Sequence, residues 1–144
     1  HLTNRIRANA ELSYFIQNMM PLPHGRGMRH YPHVAVVYAN DESEAANLLN
    51  DYIRQGYECQ ESDWQEKLEK QSDSAVEIQS RHTREVDRMV HRLGGRYYYD
   101  EMGYLRSTER DVRPLFYQLS EAKEELALVV MGNEKLYGTL LNLF

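Results

Sequence analysis

The sequence predicts an α+β domain, a ferredoxin-like βαββαβ sandwich with an extra N-terminal helix and one or two C-terminal helices. Three observations carry that expectation. A β-branched run, a capped helix and a second extended run make one β-α-β unit from His33 onward. A second helical pattern, "HTREVDRMVHRL", then leads into the tyrosine-rich "RYYYDEMGYLRS". Amphipathic stretches flank both units. Two β-α-β halves joined in this way give a four-stranded antiparallel sheet with two helices on one face. A chain of 144 residues makes one domain on this reading. Its parts are a helix over 1–20, an α/β core over 33–106 and helices over 108–144.

The elements follow in order. "HLTNRIRANAELSYFIQNMM" places Leu2, Ile6, Leu12, Phe15, Ile16 and Met19 at three-to-four spacing, a helical period. Pro21 and Pro23 stop that helix. "PLPHGRGMRHYP" is a loop, with its prolines and glycines. "HVAVVYA", His33 to Ala39, is short and β-branched and reads as a buried strand. Asp41 with Glu44 resembles a capping box. Ala45, Leu48, Leu49, Tyr52 and Ile53 form the apolar face of the helix it starts, and Gly56 closes it. "YECQES" resumes as a strand.

The segment 64–93 admits two readings. As one helix it aligns Trp64, Leu68, Ala75, Ile78, His82, Val86, Met89 and Leu93. As turn, strand and helix it uses Ser72-Asp73-Ser74 as the turn and "SAVEIQSRH" as the strand. The second is preferred, because a helix of roughly 30 residues is long for a globular domain. In either case "HTREVDRMVHRL" is helical and ends at Gly94-Gly95. "RYYYDEMGYLRS" contains a strand, tyrosine being a good strand former. Tyr97 and Tyr99 face one side, Tyr98 the other, and Asp100 to Gly103 is a turn. Ser107 or Thr108 then caps a helix with Pro114 near its first turn and Leu115, Leu119, Ala122, Leu126 and Val129 or Val130 on its face. Gly132 interrupts it, and Asn133 starts a last short helix bearing Leu136, Leu140, Leu141 and Phe144.

Two stretches, "DESEAANLLNDYIRQGYE" and "REVDRMVHRLGGRYYYDEMGYL", resemble the family of ribonuclease E inhibitors called regulator of ribonuclease activity B. Members pair a helix ending in Gly-Tyr-Glu with a later helix running into a tyrosine-aspartate-glycine stretch. The chain has Tyr99-Asp100-Glu101-Met102-Gly103 where the family has a Tyr-Asp-Gly-Trp core, and it lacks the family's acidic tail. The resemblance implies a ferredoxin-like fold that acts by binding a protein, and it carries over no functional residue. "VVYANDESEAANLLNDYIRQGYE" is also similar to the start of response-regulator receivers. The rest departs from that pattern, since no later apolar strand ends in an aspartate able to accept phosphate.

Composition narrows the function classes. With 42% apolar residues the chain can build a core, and its net charge of −5 provides no global basic field for nucleic acid. A single cysteine, Cys59, rules out an internal disulfide and fits a reducing compartment or an indifferent one, and a cytoplasmic setting is expected. "LALVVMG", Leu126 to Gly132, is the longest apolar run and is far short of the roughly 20 residues of a membrane span. No signal-peptide pattern opens the chain, which begins at His1 and is expected to be a piece of a longer or processed protein. Charge is uneven: 41–77 holds eleven acids and three bases, and 78–113 holds eight arginines and six acids.

Chemistry finds little support. His24, His30 and His33 share a loop, but no cysteine pair or His-Glu-x-x-His accompanies them, so no metal and no cofactor are expected. Cys59 has no basic neighbour in sequence, and no Gly-x-Ser-x-Gly elbow occurs, so no catalytic residue is assigned. Gly25-x-Gly27 precedes a strand, whereas a phosphate loop leads into a helix N-terminus. Arg81, Arg84, Arg88 and Arg92 make a stripe on the expected second core helix, beside Tyr97 and Tyr99. That stripe is the candidate surface for phosphates and bases, or for a protein partner. The expectation is a non-enzymatic regulatory or adaptor domain that binds another protein. Self-association, as a homodimer, is assigned to Leu136, Leu140, Leu141 and Phe144 of the apolar tail. The alternative is RNA or DNA binding through the arginine stripe. No membrane partner is expected.

Overall fold

The computed structural model describes residues 2–19, 31–59, 86–109 and 111–144. Helix α1 spans Leu2–Met19. It buries Leu12, Phe15, Ile16 and Met19, as their three-to-four spacing requires. Strand β1 spans Val34–Ala39. Helix α2, Glu42–Arg54, follows after an Asp41 cap whose side chain accepts from the Glu44 N–H. Gly56 at φ +98° turns the chain out of α2, a left-handed conformation that glycine adopts without strain. Strand β2 is Glu58–Cys59 and β3 is Val86–Leu93. Strands β4, Tyr97–Tyr99, and β5, Leu105–Ser107, form a two-stranded antiparallel ribbon. Helix α3, Arg113–Leu119, strand β6, Ala122–Met131, and helix α4, Glu134–Leu141, complete the order.

Among the described residues the main sheet has four strands in the order β1-β6-β3-β2, and every pair is parallel. Its two faces are covered differently. The larger core joins Phe15 and Met19 of α1, Leu115 and Leu119 of α3 and Leu136 and Leu140 of α4 to Leu126, Leu128 and Val130 of β6. The smaller core sets Ala45 of α2 against Ala39, Val90, Ala127 and Val129.

The mixed helix–strand class expected from sequence holds, and so do the helices at either end. The sheet differs. A ferredoxin-like sandwich pairs its strands antiparallel, and the described strands of this sheet all pair parallel. Two reassignments cause the difference. Val86–Leu93, expected as the end of the second core helix, is strand β3. The C-terminal region 108–144, expected to be helical, contains the ten-residue strand β6 between two short helices. Both strands lie inside the sheet with both faces covered. Such strands bury successive residues and lose the two-residue alternation that marks a half-buried strand. Val86, Met89, Val90 and Leu93 are all buried and also fit a helical spacing. The single-helix reading of 64–93 therefore fails over its last eight residues. The expected "SAVEIQSRH" strand and its preceding turn lie outside the described residues.

Candidate functional site

Open parallel sheets bind ligands outside the carboxyl ends of their strands, where neighbouring strands exit to opposite faces. Strands β1 and β6 meet that condition. The chain leaves β1 for α2 on the smaller face and leaves β6 for α4 on the larger one. The crevice between them is closed. The Gly132 N–H donates to the Ala39 carbonyl at 2.8 Å, and Gly132 sits at φ +60°. The N-terminus of α2 is taken by the chain's own carboxylates. Asp41 Oδ1 accepts from the Glu44 N–H at 2.9 Å, and Glu44 Oε2 accepts from the Asn40 N–H at 2.9 Å. Those carboxylates set negative charge where an anionic ligand would sit.

The open space lies one step further along, between α4 and the edge of β4. Asn133 builds it. Its Oδ1 accepts from the Leu136 N–H and caps α4. Its Nδ2 donates to the carbonyls of Tyr97, at 2.8 Å, and Gly94, at 3.2 Å. One side chain thus fixes the helix start, the turn after β3 and the edge of β4. The groove that results has a volume of about 820 Å³. Tyr97 to Tyr99 form one wall, and Lys135, Gly138, Thr139 and Asn142 belong to the other.

The β4 wall is a strand edge. The Thr108 N–H donates to Arg96 O and the Asp100 N–H to Tyr104 O, so the even-numbered positions pair with β5. In an antiparallel ribbon the alternate peptide groups then point the other way. Those belong to Tyr97 and Tyr99; the Tyr97 N–H donates to Gly94 O and its carbonyl accepts from Asn133, so the outward groups left to the groove are those of Tyr99. The α4 wall has a glycine in mid-helix. Gly138 is exposed, and a Cβ there would meet nothing within 4 Å. Glycine within a helix costs roughly 0.5–1 kcal/mol relative to alanine. No packing contact offsets that cost among the described residues.

The ribbon is held firmly. Asp100 accepts from the N–H groups of Met102 and Tyr104 and from Arg106 Nε, at 2.9, 3.0 and 2.9 Å. The Tyr104 N–H first, and then Arg106, hold its carboxyl below the usual range. Tyr99 Oη donates to the Met19 carbonyl at 2.6 Å, tying the ribbon to α1, and burial pushes that phenol far up. The pinned ribbon leaves Tyr98, Met102 and Tyr104 exposed, Met102 at 71%.

The sequence-predicted residues fall as follows. Arg88 and Arg92 are on strand β3, so the helical stripe they were to share does not form; Arg81 and Arg84 lie outside the described residues. Arg88 faces Glu125, with Nε 3.4 Å from Oε2, and its Nη1 donates to Gln55 O at 2.9 Å. Arg96, Arg106 and Arg113 each sit beside a carboxylate as well, Glu109, Asp100 and Asp111. Tyr57 Oη donates to the same Glu125, and burial together with that carboxylate pushes the phenol up to about 12. Tyr97 is buried and Tyr99 half-buried, so neither ring is a free stacking platform. Leu136 and Leu140 are core residues, where the tail reading had them free for self-association. Leu141 and Phe144 remain exposed, and the Phe144 ring also touches Phe15 and Tyr31. His33 Nδ1 lies 3.0 Å from Glu11 Oε1, and His24 and His30 are outside the described residues. Among the described residues no cluster of three metal-ligating side chains occurs. No described helix is long and apolar enough to cross a membrane.

Sequence reasoning found the ribbon and the start of α4 but not the groove between them. The available signal was Gly138, a glycine inside a short apolar helical pattern, which marks a surface kept clear. Compared with known proteins, the chain matches no family model, no curated protein and no solved structure.

Proposed function

We propose that this domain is a regulatory or adaptor module that binds an extended segment of another protein in the groove between β4 and α4. The carrying observation is the groove itself: one wall is a strand edge that offers the outward peptide groups of Tyr99, and the other is a helix thinned at Gly138. That combination suits strand addition, in which main-chain hydrogen bonds give affinity and side-chain pockets give selectivity. The exposed Tyr98 of its wall, with Met102 and Tyr104 exposed on the same ribbon, is of a residue type enriched at interfaces. The arginines favour this reading over nucleic acid, because four of them already face carboxylates of this chain.

The test is a peptide-display selection on the unaltered protein, followed by Gly138→Leu and Gly138→Ala. Leucine enters open space, so it fills the groove without disturbing the core. Selected peptides are expected to bind the unaltered protein and Gly138→Ala, and to lose most of their affinity for Gly138→Leu. Equal binding to all three overturns the reading. A single-stranded RNA that binds at low salt with a steep salt slope favours the nucleic-acid alternative.

A further inference from the structure

Among the described strands the sheet runs from β1 at one end to β2, which carries Glu58, at the other. The β1 edge is six residues, Val-Ala-Val-Val-Tyr-Ala, with no charge, no proline and no bulge against β6. Burial shows the consequence. Leu126 to Val130 of β6 are buried without a break, whereas Ala35, Val36, Val37 and Tyr38 of β1 are all half-exposed.

The hydrogen bonds fix which peptide groups face outward. Leu126 N donates to His33 O at 3.0 Å, and Gly132 N donates to Ala39 O at 2.8 Å. The odd-numbered residues of β1 therefore serve β6. Val34, Val36 and Tyr38 turn theirs to the open side, where the Val34 N–H is already used by Tyr31 O. The groups of Val36 and Tyr38 have no pairing strand among the described residues.

We infer that this edge is where two copies of the chain associate, β1 against β1 in antiparallel fashion across a two-fold axis, joining two sheets into one. The sequence of the edge suits a copy of itself. With Val36 opposite Val36, Val34 lies opposite Tyr38; the outward groups of Val36 pair with each other and the Tyr38 N–H meets the Val34 carbonyl, while the Val34 N–H keeps its bond to Tyr31 O. Charge selects the direction. Asp41, Glu42 and Glu44 follow the strand directly. A parallel copy would stack these acids on one another, and the antiparallel copy sends them to opposite ends. A six-residue strand pair is a small interface, so the dimer is a concentration-dependent one.

Amide hydrogen exchange of the unaltered protein tests this, read at Val36 and Tyr38 at micromolar and at near-millimolar concentration beside molar mass. Their protection is expected to rise with concentration as the mass moves from the 17.0 kDa of one chain toward twice that. Ala35 and Val37, bonded to β6, stay protected throughout. Fast exchange at both concentrations, or slow exchange in a protein that stays monomeric, overturns the inference. Val36→Lys and Val36→Glu add a second arm. Each alone places like charges across the axis and abolishes the dimer, and mixing the two restores it. A dimer that persists in both variants with unchanged Tyr38 protection overturns it as well. Should either variant fail to fold, the exchange measurement decides alone.

Discussion

The two faces of one sheet do different things in this molecule. Among the described residues one helix, α2, packs on the smaller face, against alanine and valine: Ala39, Ala127 and Val129 meet Ala45. Small residues bring the helix close to the sheet. On the larger face α1, α3, α4 and the ribbon crowd around Phe15, Met19, Leu126 and Leu128. Several elements sharing one face cannot all seat flush against a twisted sheet, and the groove opens where α4 and the ribbon part. The lesson is that the groove follows from the number of elements on that face, while Asn133 sets its width.

The largest effect that sharpens the contrast is Phe15→Ala. Phe15 is fully buried on the larger face, and its removal is expected to cost about 3–5 kcal/mol, read by chemical denaturation. Ala127→Leu probes the opposite face by overfilling it. Ala127 is fully buried under α2, and the added volume is expected to cost about 1–3 kcal/mol and to displace α2, visible as shifted Ala45 and Tyr52 resonances. Tolerance of that leucine would break the comparison. Asp41→Ala removes the cap of α2 and is expected to cost about 1 kcal/mol in thermal unfolding.

The smallest effect depends on pH. Burial pushes the Glu121 carboxyl up to about 7, against the opposing pull of Lys123. Its Oε2 has no hydrogen-bond partner among the described residues. The folded state therefore holds this proton where the unfolded chain, near the ordinary 4.5, has released it. The group's contribution is fully present below about 4.5 and falls as pH rises toward about 7. Glu121→Gln should flatten that part of the pH–stability curve and leave more stability at pH 8 than the unaltered protein has. Partial exposure screens the group and keeps the change small.

How much was legible in the residues follows the same contrast. Strand β1, helix α2 and its Gly56 exit stand out because each carries a local signal: β-branching, the Asp41–Glu44 cap and a glycine that must turn left. The ribbon is legible too, down to the outward Tyr98 and the Asp100–Gly103 turn. Strands β3 and β6 were not. They occupy the middle of the sheet, where both faces are covered, so Leu126 to Val130 and the pair Met89–Val90 carry no alternation. A local pattern cannot report that a second layer lies on the far side. The groove was hidden for a related reason. Asn133 reads locally as a helix cap, and its bonds to Gly94 and Tyr97 cross 39 and 36 residues of chain.

The most direct test of the binding account is a chemical-shift map of the labelled protein titrated with a display-selected peptide. The account predicts that the amides of Tyr97 to Tyr99 and of Leu136 to Asn142 move together, while Ala45, Leu48 and Tyr52 on the other face stay still. Movement centred on α2, with the ribbon unchanged, would contradict it.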